Sequence, residues 1–326
     1  MDKFRIELHD YRSTHKLYYT DNLIAEIKPW RGAMLNSLRL KPQNFEEEPS
    51  VEVLAGYSSI SDFETLPGSR NIKLSPFPNR IDRGRYEFAG QTYQFDCNKE
   101  KEDNAIHGFL TKAAFTLVDA LVNEEEDSIV LQYKYEYTGE NEAYPFPYQV
   151  EIVHCFTQSF YSCRTNITNI GQQTMPLGDG WHPYFKLGTT TIDELLLQIP
   201  SNTALETDER MIPTLKTFAF NKFQTPETIG NTKFDTGFVL KPEPKIAKVY
   251  LINETSKLQL VYGQDNENDR GYKYLQIYTP PDRQSIALEP MSCAANAFNN
   301  KMGLIELEPA EEWSSWYHVL LKKTDA

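Results

Sequence analysis

Apolar and polar side chains alternate with a period of two in one segment after another, and no long stretch carries the 3.6-residue apolar repeat of an amphipathic helix. The clearest case is 131–137. Leu131, Tyr133, Tyr135 and Tyr137 fall on one face and Gln132, Lys134 and Glu136 on the other, the pattern of a strand with one wet face. Val150, Ile152 and Phe156 share a face with His154 among them, and Tyr161, Cys163, Thr165 and Ile167 alternate with Ser162, Arg164 and Asn166. Further runs occur at 248–252, 257–262, 272–278, 285–289 and 313–321. Turn signals separate them, among them Ala89-Gly90-Gln91, Thr138-Gly139-Glu140-Asn141 and Pro280-Pro281-Asp282. Ile60, Phe63 and Leu66 at helical spacing predict a short surface helix within 58–67, a minor element. The 19 prolines and 16 glycines are spread along the whole length, with no linker, repeat or low-complexity tract. Many one-faced strands must bury that face against another sheet. The expectation is an all-β chain, a large antiparallel β-sandwich, forming a single domain over 1–326.

Charge narrows the partners. Lys plus Arg total 33 and Asp plus Glu 46, a net charge of −13 that argues against nucleic acid or an anionic membrane surface and leaves a small neutral ligand unaffected. The opening Met1-Asp2-Lys3-Phe4 has no apolar run of signal-peptide length, and no later segment approaches the roughly 20 apolar residues of a membrane helix. A soluble, cytoplasmic protein is expected. Cys97, Cys155, Cys163 and Cys293 form no C-x-x-C pair and are expected to be free thiols. Aromatic residues make up 13% of the chain, which suits a large β core or a sugar-stacking surface equally well.

Five places could carry chemistry beside His182, which stands in Gly178-Asp179-Gly180-Trp181-His182-Pro183-Tyr184-Phe185. The Gly-Asp-Gly part predicts a turn using positive φ, and Pro183 keeps His182 out of the helical region. Aromatic neighbours could dry the imidazole and move its pKa; an ordinary hydrogen-bonded core histidine is the alternative. Ser75-Pro76-Phe77-Pro78 leads to Asn79 and Arg80, able to bond hydroxyl or carboxylate groups. The stretch 70–85 holds five basic residues and one acidic one, a local +4, with Arg83 and Arg85 read as partners of surface acids. His107-Gly108 allows close approach of a backbone or ligand. Asp235, between Phe234 and Phe238, reads as a turn former. Glu289 ends an apolar strand before Pro290, where a carboxylate is costly to desolvate without partners or work; an arginine-paired edge glutamate is the alternative. Gln276 and Tyr278 could line the same side. No zinc-ligand spacing, G-x-S-x-G elbow, P-loop or dinucleotide fingerprint is present.

Asn79-Arg80-Ile81 with Gly84 and Tyr86, then Ile106-His107-Gly108, His182-x-Tyr184-Phe185 with Leu187, Phe234-Asp235 and Leu288-Glu289-Pro290 occur in order. In this the chain resembles the aldose 1-epimerase (galactose mutarotase) family over nearly its whole length. The resemblance implies a galactose mutarotase-like sandwich and an isomerase that interconverts the anomers of an aldose. It implies Glu289 as general base and His182 as general acid, with Arg80, His107, Asp235, Asn79 and Trp181 as sugar contacts. No metal or organic cofactor is implied, and the partner is a small-molecule sugar on a monomer or homodimer. The chain departs from the family pattern at Phe109, where a second glycine is common, at Trp181, where asparagine is common, and at Pro183, where serine or threonine is common. Trp181 and Phe109 are expected to narrow or reshape the pocket. The family's hexose-6-phosphate 1-epimerases stay in play through the local +4, as does a non-catalytic sugar-binding protein on the same scaffold. A glycoside-processing enzyme would need two carboxylates, for which Glu289 and Asp235 are the candidates.

Overall fold

The period-two segments become strands because each has one face that leaves water only by packing on another sheet. In the computed structural model, which describes residues 3–8, 14–45, 47–188, 191–267 and 270–324, the tract 131–137 lies in the strand Ser128–Tyr137. Leu131, Tyr133 and Tyr137 are buried there, and Glu136 is exposed. Asn79, Gly90 and other left-handed positions make the tight connections; Ala89 and Gly90, both with positive φ, turn the hairpin between Arg85–Phe88 and Gln91–Gln94.

Two large antiparallel sheets result. The nine-stranded sheet runs in the spatial order Thr116–Asn123, Ser128–Tyr137, Tyr148–Phe156, Phe160–Asn169, Glu312–Lys323, Leu258–Asp265, Ile246–Asn253, Leu196–Gln198, Glu227–Thr228. The eight-stranded sheet runs Pro213–Ala219, Thr203–Thr207, Asp235–Val239, Tyr274–Tyr278, Ile286–Met291, Gly180–Trp181, Lys73–Leu74, with Tyr184–Phe185 also paired to Ile286–Met291. A five-stranded sheet of N-terminal residues packs alongside. One apolar cluster joins Val150, Ile152 and Val319 of the first sheet to Phe238, Ile277 and Leu288 of the second and to Leu35 and Leu38 of the N-terminal sheet. The fold is a large antiparallel β-sandwich, as the alternation predicted.

Three local expectations need correction. The strand bearing Glu289 does not stop there but continues through Pro290 to Met291. The carbonyl of Pro290 faces Gly180, so its missing amide falls on the side where the ladder is already interrupted by His182-Pro183. Gly178-Asp179-Gly180 is not a positive-φ turn. Its glycines are required by close approach: a Cβ on Gly178 would lie 2.5 Å from Cys293 Sγ, and one on Gly180 2.6 Å from the Pro290 carbonyl. The predicted helix forms as Ile60–Thr65, closed by a capping box between Ser59 and Asp62, and Phe63 is buried. It is more than a minor element, because Thr65–Ser69 form one wall of the main cavity.

Beneath that cavity lies a buried ion pair absent from the sequence reading. Lys73 Nζ is 2.6 Å from Asp179 Oδ1, and both side chains are fully buried. Lys73 also donates to Thr165 Oγ1 and lies over the Trp181 ring, and Tyr272 donates its hydroxyl to Asp179. Burial pushes the Lys73 pKa down and the Asp179 pKa up, and their mutual attraction opposes both shifts. Removing one member strands the other in the core. Lys73→Met is therefore expected to lower unfolding free energy by ~3–5 kcal/mol. Urea denaturation measures this, and a midpoint within the scatter of surface substitutions would contradict it.

Candidate active site

The outer face of the eight-stranded sheet carries a polar row because side chains alternate across each strand. On Ile286–Met291, Ile286 and Leu288 enter the core and Glu289 faces outward; on Tyr274–Tyr278, Gln276 and Tyr278 do the same. Gln276 stands opposite Glu289 in the ladder and donates to Asp235 Oδ1 at 2.7 Å. Gly237 leaves it room, since a Cβ there would sit 3.1 Å from Gln276 Oε1. These residues floor a cavity of about 550 Å³, within the size range of small-ligand sites.

His182 reaches this cavity from the gap between the strands Gly180–Trp181 and Tyr184–Phe185. Its backbone is held on both sides: its amide donates to Ile72 O at 3.1 Å, and its carbonyl accepts from Asn71 N at 2.9 Å. The Asn71 side chain accepts from Tyr184 N and donates to Ala55 O, which fixes the chain after Pro183. The imidazole stacks on Tyr184 with ring centroids 5.0 Å apart and planes 5° apart. His182 Nε2 lies 3.3 Å from Glu289 Oε1. Glu289 is 1% exposed, and among the described residues neither its Oε2 nor His182 Nδ1 has a hydrogen-bond partner.

Arg80 and His107 come from a two-stranded ladder, Arg80–Asp82 with Asn104–Ile106. Asn79 and His107 both adopt positive φ, 55° and 68°, an uncommon conformation that these residue types tolerate better than most. His107 N donates to Asn79 O, which ties the two positions together. Gly108 is needed because a Cβ would be 2.1 Å from the Ser75 carbonyl, the close backbone approach expected after His107. Arg80 donates to Glu102 Oε2 at 2.6 Å and to Asn79 Oδ1 at 2.9 Å, and lies 3.7 Å from Asp235 Oδ2. The His107 ring packs edge-on to His182 at 5.3 Å, and its Nδ1 is buried without a hydrogen-bond partner among the described residues.

Burial dominates the electrostatics. It pushes the His182 pKa down to about 3 and, with help from His182 and Arg80, holds His107 well below its ordinary value. It raises Glu289 well above the carboxylate range, assisted by Asp235 and opposed by Arg80. The site thus disfavours separated charges, and a proton shared by Glu289 and His182 meets little solvent competition.

Six of the seven residues expected to act at a site line this one cavity: Glu289, His182, Arg80, His107, Asp235 and Asn79. Asp235 is the first residue of a strand rather than a turn former. Trp181 is the exception and requires correction. Adjacent residues in an extended chain point to opposite sides, so an outward His182 forces Trp181 inward, where it is 2% exposed and donates to Thr165. The indole therefore does not narrow the cavity. Phe109 does line it, with its ring against Tyr137. Of the five basic residues behind the local +4, only Arg80 lines the cavity. Arg83 pairs with Asp103, Arg85 with Glu87 and Arg70 with Asp282, Lys73 is in the core, and Arg80 is held by Glu102. The sequence reading missed Asn71 and the wall residues Lys99, Thr111 and Lys112. Proximity of the last two to His107 was the available signal.

The family model described as Aldose 1-epimerase matches residues 24–320. The uncharacterized protein YihR of Escherichia coli (strain K12) is 28% identical over 252 residues, 76% of this chain and 77% of that one. Mouse galactose mutarotase is 25% identical over 201 residues, 60% of this chain and 54% of that one. Among solved structures, a galactose mutarotase-like protein from Clostridium acetobutylicum superposes with a TM-score of 0.82 at 21% identity, covering 98% of each chain. Galactose 1-epimerase from Lactobacillus acidophilus gives a TM-score of 0.77 at 14% identity, covering 99% of this chain and 98% of that one. At these identities the structures show a shared fold.

The burial of the two imidazoles has a direct readout. In ¹H–¹⁵N spectra His182 is expected to stay neutral until the pH falls to about 3, and His107 to titrate well below 6.5. Ordinary titration of either ring near 6.5 would show that water reaches it freely.

Proposed function

Because this chain belongs to the aldose 1-epimerase family, we propose that it is an isomerase interconverting the α and β anomers of an aldose, with Glu289 and His182 as its acid–base pair. The observation that carries this reading is the convergence of His182 Nε2 and Glu289 Oε1, 3.3 Å apart, on a cavity that Arg80, His107 and Asp235 also line. Mutarotation needs little more than two proton transfers on one ring, and a carboxylate beside an imidazole supplies both.

At rest the pair holds one proton, on Glu289 with His182 neutral, as their burial favours; with sugar bound the proton crosses the 3.3 Å contact to His182, giving the reactive form with Glu289 as carboxylate and His182 as imidazolium. Glu289 removes the proton of the C1 hydroxyl while His182 delivers its proton to the ring oxygen. The C1–O5 bond breaks, and the open-chain aldehyde forms. Rotation about C1–C2 presents the other carbonyl face. O5 then attacks C1, giving its proton back to His182 as Glu289 returns its own to the new C1 oxygen. The pair ends in the protonation state in which it began. Arg80, Asp235 and His107, which all line the cavity, offer hydrogen bonds to ring hydroxyls, and the fixed Arg80 spares the sugar the cost of ordering it.

Glu289→Gln and His182→Asn are each expected to lower kcat by ~10²–10⁴-fold with the fold intact, measured as anomer exchange by NMR or polarimetry. Full speed in Glu289→Gln would remove the assigned base. The pH profile of kcat/KM is expected to be bell-shaped. A second proton on the pair ends activity on the acid side, near the His182 value of about 3, and loss of the shared proton ends it above the ordinary carboxylate range because Glu289 is raised. A single limb at 6.5, the ordinary imidazole value, would contradict this pairing.

A further inference from the structure

The tyrosines around the cavity differ in what their hydroxyls do. Tyr57 donates to Pro67 O at 3.0 Å and Tyr184 to Gly68 O at 2.6 Å, so both phenols hold up the cavity wall at 65–69. Tyr278 also lines the cavity, half-buried, and its hydroxyl makes no hydrogen bond to any described residue. The polar groups nearest to it are already committed. Gln276 donates to Asp235, Arg80 donates to Glu102 and Asn79, and His182 meets Glu289.

Strand register places this phenol beside the acid–base pair. Tyr278 stands opposite Asp235 on one side and Ala287 on the other, and Ala287 stands opposite Tyr184, so all four side chains share the cavity face. Ala287 is small enough for the two tyrosine rings to meet over it, with centroids 6.3 Å and planes 76° apart, and it is left with no exposed surface. That edge-to-face contact fixes the phenol on the sheet. The next row holds Gln276 opposite Glu289, which makes Tyr278 the diagonal cross-strand neighbour of Glu289. Such neighbours are ~7–8 Å apart, a separation that aromatic side chains span. Burial raises the Tyr278 pKa, and the carboxylates of Asp235, Asp282 and Glu289 raise it further. The phenol therefore keeps its proton and offers a donor, and the three carboxylates around it repel an anion. A neutral hydroxyl is the partner it suits.

We propose that Tyr278 is a further sugar-binding residue of this site, its hydroxyl donating to one aldose hydroxyl other than that on C1 and so helping to select the sugar. The inference rests on the isomerase reading for the identity of the ligand as an aldose, and on the register and the free phenol for the contact.

Tyr278→Phe removes the hydroxyl and keeps the ring against Tyr184. Anomer exchange of glucose and galactose is followed by NMR. With whichever has the higher kcat/KM, the variant is expected to raise KM about fivefold, the size of one neutral hydrogen bond, and to leave kcat unchanged. Across the 2-, 3-, 4- and 6-deoxy analogues of that sugar the factor is expected to fall to about one at a single position, which names the hydroxyl contacted. A KM unmoved by the variant overturns the proposal. So does the same factor with all the analogues, because a purely structural role weakens every sugar alike. Calorimetry with 1,5-anhydroglucitol and 1,5-anhydrogalactitol, which cannot mutarotate, keeps the two readings apart. Binding that weakens about fivefold in Tyr278→Phe, with neither sugar exchanged faster than in buffer, sinks the isomerase and keeps the contact. Exchange by the variant at the unaltered KM sinks the contact and keeps the isomerase. Absence of both binding and exchange sinks both.

Discussion

Two titratable groups placed side by side out of water set the terms for this molecule. Glu289 and His182 each lose solvation on burial, and each is pushed toward its neutral form. In contact at 3.3 Å they offset part of that cost by sharing a proton, an arrangement that survives only if neither side chain can swing back to solvent. The surrounding structure can be understood as what prevents that. The carboxylate stands on a central strand of the eight-stranded sheet, with Tyr274–Tyr278 paired on one side and Gly180–Trp181 and Tyr184–Phe185 on the other. The imidazole is clamped by Asn71, Ile72 and the Tyr184 ring.

The clamps themselves are anchored in layers. Asn71 and Ile72 immediately precede Lys73, whose buried ion pair with Asp179 ties that short strand to the residues leading into His182. On the opposite wall Arg80 is aimed by Glu102, and the segment carrying Glu102 is gripped by Arg210. That guanidinium donates to the carbonyls of Glu102 and Asp103 and to the side chains of Asp82 and Asn104. Asn104 answers by donating to Arg210 O. The Lys73–Asp179 pair lies out of water, where polar groups are costly singly and rigid when mutually satisfied, while the partly exposed Arg210 cluster holds its segment through the number of its bonds.

Charge shows how far linear counting can mislead. The five basic residues in 70–85 suggested a positive surface for an anion, yet they disperse into the core, into surface pairs and onto Glu102. The lysines that do line the cavity are Lys99, which stands among Glu100, Glu102 and Asp103 in a stretch that looks acidic, and Lys112, which follows the His107-Gly108 turn. Only the direction of each side chain separates those two cases.

Much was legible in the chain alone. Alternation in 131–137 and its counterparts fixes strands with one dry face, and a chain built of such strands has few solutions other than packed antiparallel sheets. Motif order, through the resemblance to the aldose 1-epimerase family, pointed to Glu289, His182, Arg80, His107, Asp235 and Asn79, whereas the local setting of Asp235 alone read as a turn. The sequence could not say which side of the backbone each occupies where the strands are broken. Trp181 and His182 are neighbours, and the two-residue ladders around Pro183 decide that the indole goes to the core and the imidazole to the cavity. The same holds for Gly178 and Gly180, whose need for hydrogen in place of Cβ comes from Cys293 and Pro290, more than a hundred positions away. Local pattern determines which residues alternate, a property of one strand; facing, pairing and the match of charges are properties of two or more strands at once, and those were set only when the sheets closed on each other.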